Sequence, residues 1–116
     1  MSYKEYTDGK YTIESFDEYK VWYLNDELHR EDGPAMEWVD GSKAWFLNGQ
    51  YHREGGPSIE YASGHKEWWI NGKLHREDGP AIEWPNGEKE WWLYNELLTQ
   101  KEWRRQTLIL ALAEIK

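Results

Sequence analysis

The residues of this sequence that are best suited to catalysis or metal binding occur in three copies of a His-Arg-Glu cluster. They are His29-Arg30-Glu31, His52-Arg53-Glu54 and His75-Arg76-Glu77. Imidazole and carboxylate groups bind metal ions and act as general acids and bases. On successive β-hairpins, however, equivalent positions lie roughly 10 Å apart, whereas ligands lie about 2 Å from a shared ion. We therefore expect the clusters to hold the chain together by hydrogen bonds and ion pairs, with no metal and no cofactor.

Other arrangements for catalysis are missing from the sequence. No Ser or Thr stands beside a His and an acidic residue in a recognisable motif, no Gly-rich phosphate loop is present, and there is no Cys. A motif that recurs in register is typical of a structural unit, while an active site usually interrupts such regularity. We expect a protein that is not an enzyme and has no catalytic residues.

The clusters belong to a repeat of 23 residues, the interval that separates Trp22, Trp45, Trp68 and Trp91. Full repeats cover residues 22–44, 45–67 and 68–90, with a partial repeat on either side. Because no insertion interrupts the copies, each one is predicted to adopt the same geometry within a repeat β-sheet domain over residues 1–98.

Each repeat contains the signals of two short strands and two tight turns. Asn48-Gly49 and Asn71-Gly72 are typical of type I′ hairpin turns, in which both central residues have positive φ. Asp40-Gly41 and Asn86-Gly87 mark the second turn. The sequence predicts a mainly β fold, an elongated antiparallel β-meander of 23-residue hairpin repeats with a C-terminal α-helix.

A two-residue turn at Asp40-Gly41 would pair Met36 with Trp45, and the later repeats would follow the same register. Side chains two residues apart on a strand share a face. The predicted core face consists of Trp22, Leu24, Met36, Trp38, Trp45, Leu47, Ile59, Tyr61, Trp68, Ile70, Ile82, Trp84, Trp91 and Leu93. The opposite face carries an aromatic column, defined as Tyr23, Phe46, Trp69 and Trp92, together with Glu60 opposite Glu67 and Glu83 opposite Glu90.

These four aromatic and four acidic residues are the predicted partner-binding residues. Aromatic side chains are enriched at the centres of protein interfaces, and acidic groups attract a basic protein. Two alternatives remain open for this face. Either the terminal helix covers the aromatic column, or Lys and Arg side chains of neighbouring strands neutralise the glutamates.

The last segment, residues 99–116, has a helical pattern. Thr99 and Glu102 form a capping box, which predicts a helix from about Gln100 to Ile115. Its second half is apolar on nearly every side, so a single buried face cannot satisfy it. We expect the helix to pack on the sheet or on a second chain, and the protein to form a homo-oligomer, most simply a dimer. The predicted oligomerisation residues are Trp103, Leu108, Leu110, Leu112 and Ile115.

Composition narrows the class of protein further. A net charge of −8 together with 9 Trp and 8 Tyr indicates an acidic folded protein with an aromatic core, and it disfavours direct nucleic-acid binding. No apolar run reaches the roughly 20 residues that span a bilayer, and no signal peptide is visible. We expect a cytoplasmic protein without a membrane partner.

The period, the Asn-Gly turns and the loop signature resemble MORN-type repeats, most closely a variant form with a His-Arg-Glu-Asp-Gly-Pro-Ala signature. That signature occurs at residues 29–35 and 75–81, and in altered form at residues 52–58. The resemblance extends from about Glu14 to Leu97. It implies an elongated sheet that serves binding and dimerisation without chemistry of its own. Because such variants are found in large bacteriophages and giant viruses, it also implies a viral protein in the host cytoplasm.

These features predict a non-enzymatic protein-interaction module, in the manner of a phage protein that binds and inhibits a host protein. One alternative is the sequestration of a small ligand, such as a nucleotide or sugar, by an oligomer. Another is a structural role in a virion or its assembly.

Overall fold

A computed structural model describes residues 2–115 of the protein. Within these residues the chain forms fifteen strands and one helix, and its extents of 50 × 37 × 18 Å make it elongated. The elements are β1 (Tyr3–Asp8), β2 (Tyr11–Phe16), β3 (Tyr19–Leu24), β4 (Glu27–Leu28), β5 (Met36–Trp38), β6 (Lys43–Ala44), β7 (Phe46–Leu47), β8 (Gln50–Tyr51), β9 (Ile59–Glu60), β10 (Lys66–Glu67), β11 (Trp69–Ile70), β12 (Lys73–Leu74), β13 (Ile82–Glu83), β14 (Lys89–Leu93), β15 (Glu96–Leu98) and α1 (Gln100–Ala113).

Most of the described strands form one antiparallel sheet in the order β1-β2-β3-β5-β6-β9-β10-β13-β14-β15, with β4 paired to β3. The hairpins β7–β8 and β11–β12 are separate two-stranded sheets. Backbone hydrogen bonds join these hairpins to one another, for example from the Gly72 N–H to the Tyr51 carbonyl at 2.9 Å. The structure confirms the predicted elongated, mainly β meander with a C-terminal helix. It differs from the prediction of one continuous sheet, since the Asn-Gly hairpins of the repeats 45–67 and 68–90 stand outside the main sheet.

The Asn-Gly turns have the predicted geometry. Asn48 and Gly49 have φ values of 52° and 77°, and the flanking Leu47 and Gln50 are paired. Both central residues therefore have positive φ, as a type I′ turn requires. The equivalent turns with positive φ are Asn25-Asp26, Asn71-Gly72 and Tyr94-Asn95.

The second turn of each repeat is one residue longer than predicted. The Trp38 N–H donates to the Ser42 carbonyl at 2.9 Å, which leaves a three-residue loop with Gly41 at a φ of 96°. Such loops place a glycine in the left-handed region before the second strand begins. Met36 consequently pairs with Ala44 instead of the following tryptophan. The equivalent pairs of the later repeats are Ile59 with Glu67 and Ile82 with Glu90.

The predicted core face is wrong, because a shift of one residue exchanges the two faces of a strand. Arg53 contacts both the Glu60 carboxylate and the Trp45 ring, so the tryptophans of the 23-residue period lie on the same side as the charged strand residues. We call this side the arginine face. The other side, which carries Met36 and Ile59, is the apolar face. The buried apolar residues come from both faces and from α1: Ile13, Val21, Trp22, Ala35, Ala44, Phe46, Ile59, Ala81, Ile82, Leu93 and Trp103.

The C-terminal helix begins as predicted. The Thr99 hydroxyl accepts a hydrogen bond from the Glu102 N–H at 3.1 Å, and the first helical residue is Gln100. The helix ends at Ala113, two residues before the predicted end. It packs against β14 and β15. Within residues 2–115 no helix is long and apolar enough to cross a membrane.

Candidate functional site

Each internal repeat closes around an arginine that lies flat on a tryptophan, where the guanidinium is attracted to the π-electrons of the indole. The three stacks are Arg30 on Trp22, Arg53 on Trp45 and Arg76 on Trp68, with the guanidinium carbon 4.0, 3.7 and 3.8 Å from the ring centroid. A glycine lies against the other side of each guanidinium. A Cβ at Gly79 would stand only 2.6 Å from the Arg76 Cζ. Packing against the arginine therefore explains why the Gly-Pro signature contains glycine.

The three cluster histidines join each loop to the next hairpin. Their Nδ1 atoms accept backbone N–H groups from Asn48, Asn71 and Tyr94, at 2.8, 3.0 and 3.0 Å. In two repeats Nε2 also contacts a glutamate, His29 with Glu31 at 2.9 Å and His75 with Glu77 at 2.8 Å. These are the structural contacts that the sequence predicts. Among residues 2–115 no three His, Asp or Glu side chains are placed to hold a metal ion.

The prediction that Glu60 faces Glu67 and Glu83 faces Glu90 is wrong. Glu60 pairs with Lys66, and Glu83 pairs with Lys89. Lysine and glutamate alternate across the arginine face in the order Lys20, Glu37, Lys43, Glu60, Lys66, Glu83 and Lys89. The stacked arginines reach Glu60 and Glu83 as well, at 3.3 and 2.9 Å. The alternative in which Lys and Arg neutralise these two glutamates is therefore correct.

The other two glutamates lie on the apolar face and bind indole groups. Glu67 accepts the indole N–H of Trp69 at 2.8 Å, and Glu90 accepts that of Trp92 at 2.9 Å. Glu67 also contacts the His65 imidazole at 2.7 Å. A half-buried carboxylate needs such donors to offset its lost hydration. The four glutamates are thus divided between two faces and do not form one acidic patch.

The aromatic column is partly internal. Phe46 is buried in a cluster with Ala44, while its ring lies 4.4 Å from that of Tyr51, which in turn lies 5.3 Å from Trp69. Burial raises the pKa of the Tyr51 hydroxyl. The sequence contains a signal for the contacts between these glutamates and indole groups. Glu occurs two residues before each Trp of the column, whereas Ala occurs two residues before its Phe, whose ring has no N–H to donate. The predicted partner-binding role of these residues did not take this pairing into account. Partner binding by Tyr23, Trp69 and Trp92, which are half-buried, stays a prediction.

The helix is anchored through one side chain. Trp103 is buried, with its ring 4.6 Å from that of Trp91 and its indole N–H donating to the Arg76 carbonyl at 2.8 Å. It therefore packs within its own chain, and its predicted place in an oligomer interface is wrong. The alternative that α1 covers the aromatic column receives no support from this anchor, because Trp91 does not belong to that column.

The second half of α1 and the residues just after it expose most of their large apolar side chains. Leu108, Ile109, Leu112 and Ile115 have exposed fractions of 60, 59, 56 and 79%. Leu110 is half-buried and lines a shallow cavity of about 380 Å³ between α1 and the end of β14. We call the four exposed residues the helix patch. Contiguous exposed apolar surface of this kind commonly marks an interaction site.

Fold and site define an antiparallel β-repeat protein closed by a helix. Comparison of the chain with protein-family models, curated proteins and solved structures found no match. The resemblance to MORN-type repeats therefore stays a prediction that rests on the 23-residue period and its loop signature.

Proposed function

We propose that the protein is a non-enzymatic protein-interaction module that assembles as a homodimer through the helix patch. The observation that carries the proposal is the exposure of four large apolar side chains, three on the second half of α1 and Ile115 just after its end. Burying apolar side chains stabilises an association by roughly 25 cal/mol per Å² removed from water. Among the described residues of α1, Trp103 is the buried one, which leaves the helix patch available.

The charges of α1 favour a second copy of the chain as the occupant of the patch. Lys101, Arg104 and Arg105 outnumber Glu102 near the start of the helix, while Glu114 follows its end. In an antiparallel pair Glu114 of one copy lies near Arg105 of the other. A two-fold axis duplicates this pairing and places Leu108 of one copy near Leu112 of the other. The surface is thus complementary to itself in charge and in polarity.

A dimer that forms through the helix patch leaves the arginine face and the apolar face of the sheet available to another protein. The net charge of −8 favours a basic partner, because opposite charge accelerates association and excludes acidic competitors. The resemblance to repeats of large bacteriophages adds a narrower proposal, in which the partner is a host protein that the dimer inhibits.

Sedimentation velocity tests the dimer directly. The wild-type chain should form dimers as its concentration rises, and the double variant Leu108→Gln, Leu112→Gln should stay monomeric. Val39→Gln is the matched control, because Val39 is an apolar side chain that is 77% exposed far from α1 in sequence. It should dimerise like the wild type. A wild-type chain that is monomeric at every concentration contradicts the proposal, as does equal dimerisation of the double variant.

A further inference from the structure

The loops that carry the His-Arg-Glu clusters are alike in the first and third repeats. In the first, the Arg30 Nε donates to the Asp32 carboxylate at 3.0 Å, and in the third the Arg76 Nε donates to that of Asp78 at 2.8 Å. Each stacked guanidinium also donates through Nη1 to the carbonyl of the following proline. A carboxylate at Nε is therefore a regular part of this loop.

The middle repeat lacks this carboxylate. Gly55 aligns with Asp32 and Asp78 in sequence, but its φ of 82° lies in the left-handed region, where theirs do not. Apart from its chain neighbours, no heavy atom lies within 4 Å of the place a Cβ would occupy. Arg53 is otherwise held as its counterparts are, 3.7 Å from the Trp45 ring and 3.1 Å from the Pro57 carbonyl. Within residues 2–115 the Arg53 Nε has no hydrogen-bond acceptor, and the side chain is 30% exposed instead of 20%.

The acidic residues beside Arg53 do not replace the missing group. Glu60 contacts the guanidinium at 3.3 Å through Nη1, as Glu83 contacts Arg76, and leaves Nε without a carboxylate. Glu54 aligns with Glu31 and Glu77, which contact the cluster histidines of their own repeats. In the structure Glu54 is exposed and makes no hydrogen bond to Arg53. By its position in the repeat, Glu54 corresponds to the glutamate that contacts the loop histidine and not to the aspartate that pairs with the arginine.

Arg53 is also accessible to a ligand. It lies between two grooves of the arginine face, with volumes of about 510 and 450 Å³, and both grooves are lined by Arg53 and Glu54. The first groove is also lined by Arg30, Glu31 and Asp32, and the second by Arg76, Glu77 and Asp78, so the acidic groups next to Arg53 are those already paired within the neighbouring loops. A guanidinium that is already oriented by stacking loses little rotamer freedom when it binds a carboxylate. The position thus combines an oriented donor, an Nε that meets no acceptor among residues 2–115, and access from solvent.

The geometry points to a carboxylate-binding site at the Arg53 Nε, filled by an Asp or Glu side chain of a protein partner. This inference rests on the proposed function for its partner, while the site itself is defined by the neighbouring repeats. Charge-assisted hydrogen bonds between a guanidinium and a carboxylate are about twice as strong as neutral ones. Because the chain carries a net charge of −8, long-range attraction does not concentrate anions here, and recognition depends on the local geometry.

Nuclear magnetic resonance of the arginine Nε–H groups tests the site on the whole chain. The probes are a capped peptide, acetyl-Gly-Asp-Gly-amide, and its uncharged partner, acetyl-Gly-Asn-Gly-amide. The Asp peptide should shift the Arg53 signal saturably, while the signals of Arg30 and Arg76, whose Nε atoms already donate to Asp, stay in place. The Asn peptide should cause no shift. Equal shifts at all three arginines, or none at Arg53, overturn the inference.

Two reciprocal variants sharpen the test. Gly55→Asp supplies the carboxylate from the chain itself and should weaken peptide binding at Arg53 at least about tenfold. Asp78→Gly removes it from the third repeat and should create a new saturable response at Arg76. The second variant needs no side chain to be fitted into the loop, so the inference stays testable if Gly55→Asp does not fold. Asp78→Gly without a response at Arg76 contradicts it.

Inorganic phosphate separates the possible sources of the anion. Acetate should reproduce the Arg53 shift at higher concentration than the Asp peptide, and phosphate should bind no more tightly than acetate. Tighter binding of phosphate overturns the assignment to a carboxylate. Because these measurements do not involve the helix patch, a monomeric chain with an intact Arg53 response contradicts the proposed dimer and leaves this site standing.

Discussion

The internal repeats and the last repeat cover the same tryptophan in different ways. In the internal repeats the ring of the 23-residue period lies under an arginine of its own repeat, as Arg76 lies on Trp68. In the last repeat Trp91 lies instead against Trp103 from α1, at 4.6 Å between ring centroids. One position is covered by a charged side chain of the loop, the other by an indole from outside the repeats.

This difference shows how a repeat array ends. Each tryptophan needs a cover, and within the array the following loop supplies it. After Trp91 no further loop follows, so α1 supplies the cover with Trp103, whose N–H also binds the carbonyl of Arg76. Repeat proteins need such terminal caps because an uncovered end would expose its apolar surface. One anchoring residue suffices for the cap, which leaves the second half of α1 available.

Removing the terminal cover should have the largest effect. Trp103→Ala empties the site on Trp91 and should lower the free energy of unfolding by about 3–5 kcal/mol, since a buried ring and its hydrogen bond are lost. Urea denaturation monitored by fluorescence measures the change. Arg104→Ala, at an exposed position of the same helix, is the control and should change the free energy by less than about 0.5 kcal/mol. Equal losses in the two variants would show that Trp103 does not anchor α1.

Crowding the arginine that covers an internal tryptophan should lower the free energy of unfolding by a smaller amount. Gly79→Ala places a methyl group against the Arg76 guanidinium and should cost about 1–3 kcal/mol, because the guanidinium must leave its stack on Trp68. In an Arg76→Ala background the obstacle is gone, so the same change should cost much less. A double-mutant cycle by urea denaturation measures this coupling. Strictly additive losses would show that the packing of Arg76 between Trp68 and Gly79 is not the reason for the glycine.

The smallest expected effect is on the pKa of Glu31 in the first repeat. The N-terminal hairpin contributes Lys10, whose ammonium group pairs with this carboxylate. The Lys10 ammonium, at 2.7 Å, and then His29 hold the pKa of Glu31 below its usual value of 4.5. A lowered carboxyl pKa stabilises the fold above about pH 4.5, and this contribution is lost as the pH falls through the folded-state pKa. Lys10→Gln should raise the Glu31 pKa, measured by carboxyl carbon titration, while Lys10→Arg keeps it low. An unchanged pKa in Lys10→Gln would exclude this ion pair as its cause.

Local signals made much of the fold predictable. The Asn-Gly pairs specify turns because Asn and Gly tolerate the positive φ that both central positions of the turn require. Thr99 specifies the start of the helix because its hydroxyl accepts a hydrogen bond from a backbone N–H that has no partner within the helix. The register was not predictable from the Asp40-Gly41 signal, since the same dipeptide fits a two-residue turn and the end of a three-residue loop. That single residue divided the predicted core face between the two sides of the sheet and separated the predicted pairs of glutamates.

The sequence by itself determined the length of the repeat, the positions of its turns and the residues that every copy must place alike. A fixed period without insertions imposes this, because equivalent residues then meet equivalent neighbours. Only the tertiary structure decided which face each tryptophan occupies, that Trp103 covers the last one, and that Arg53 lacks the carboxylate its counterparts hold. These depend on contacts between residues far apart in the chain, whose distances follow from strand pairing and not from any local pattern.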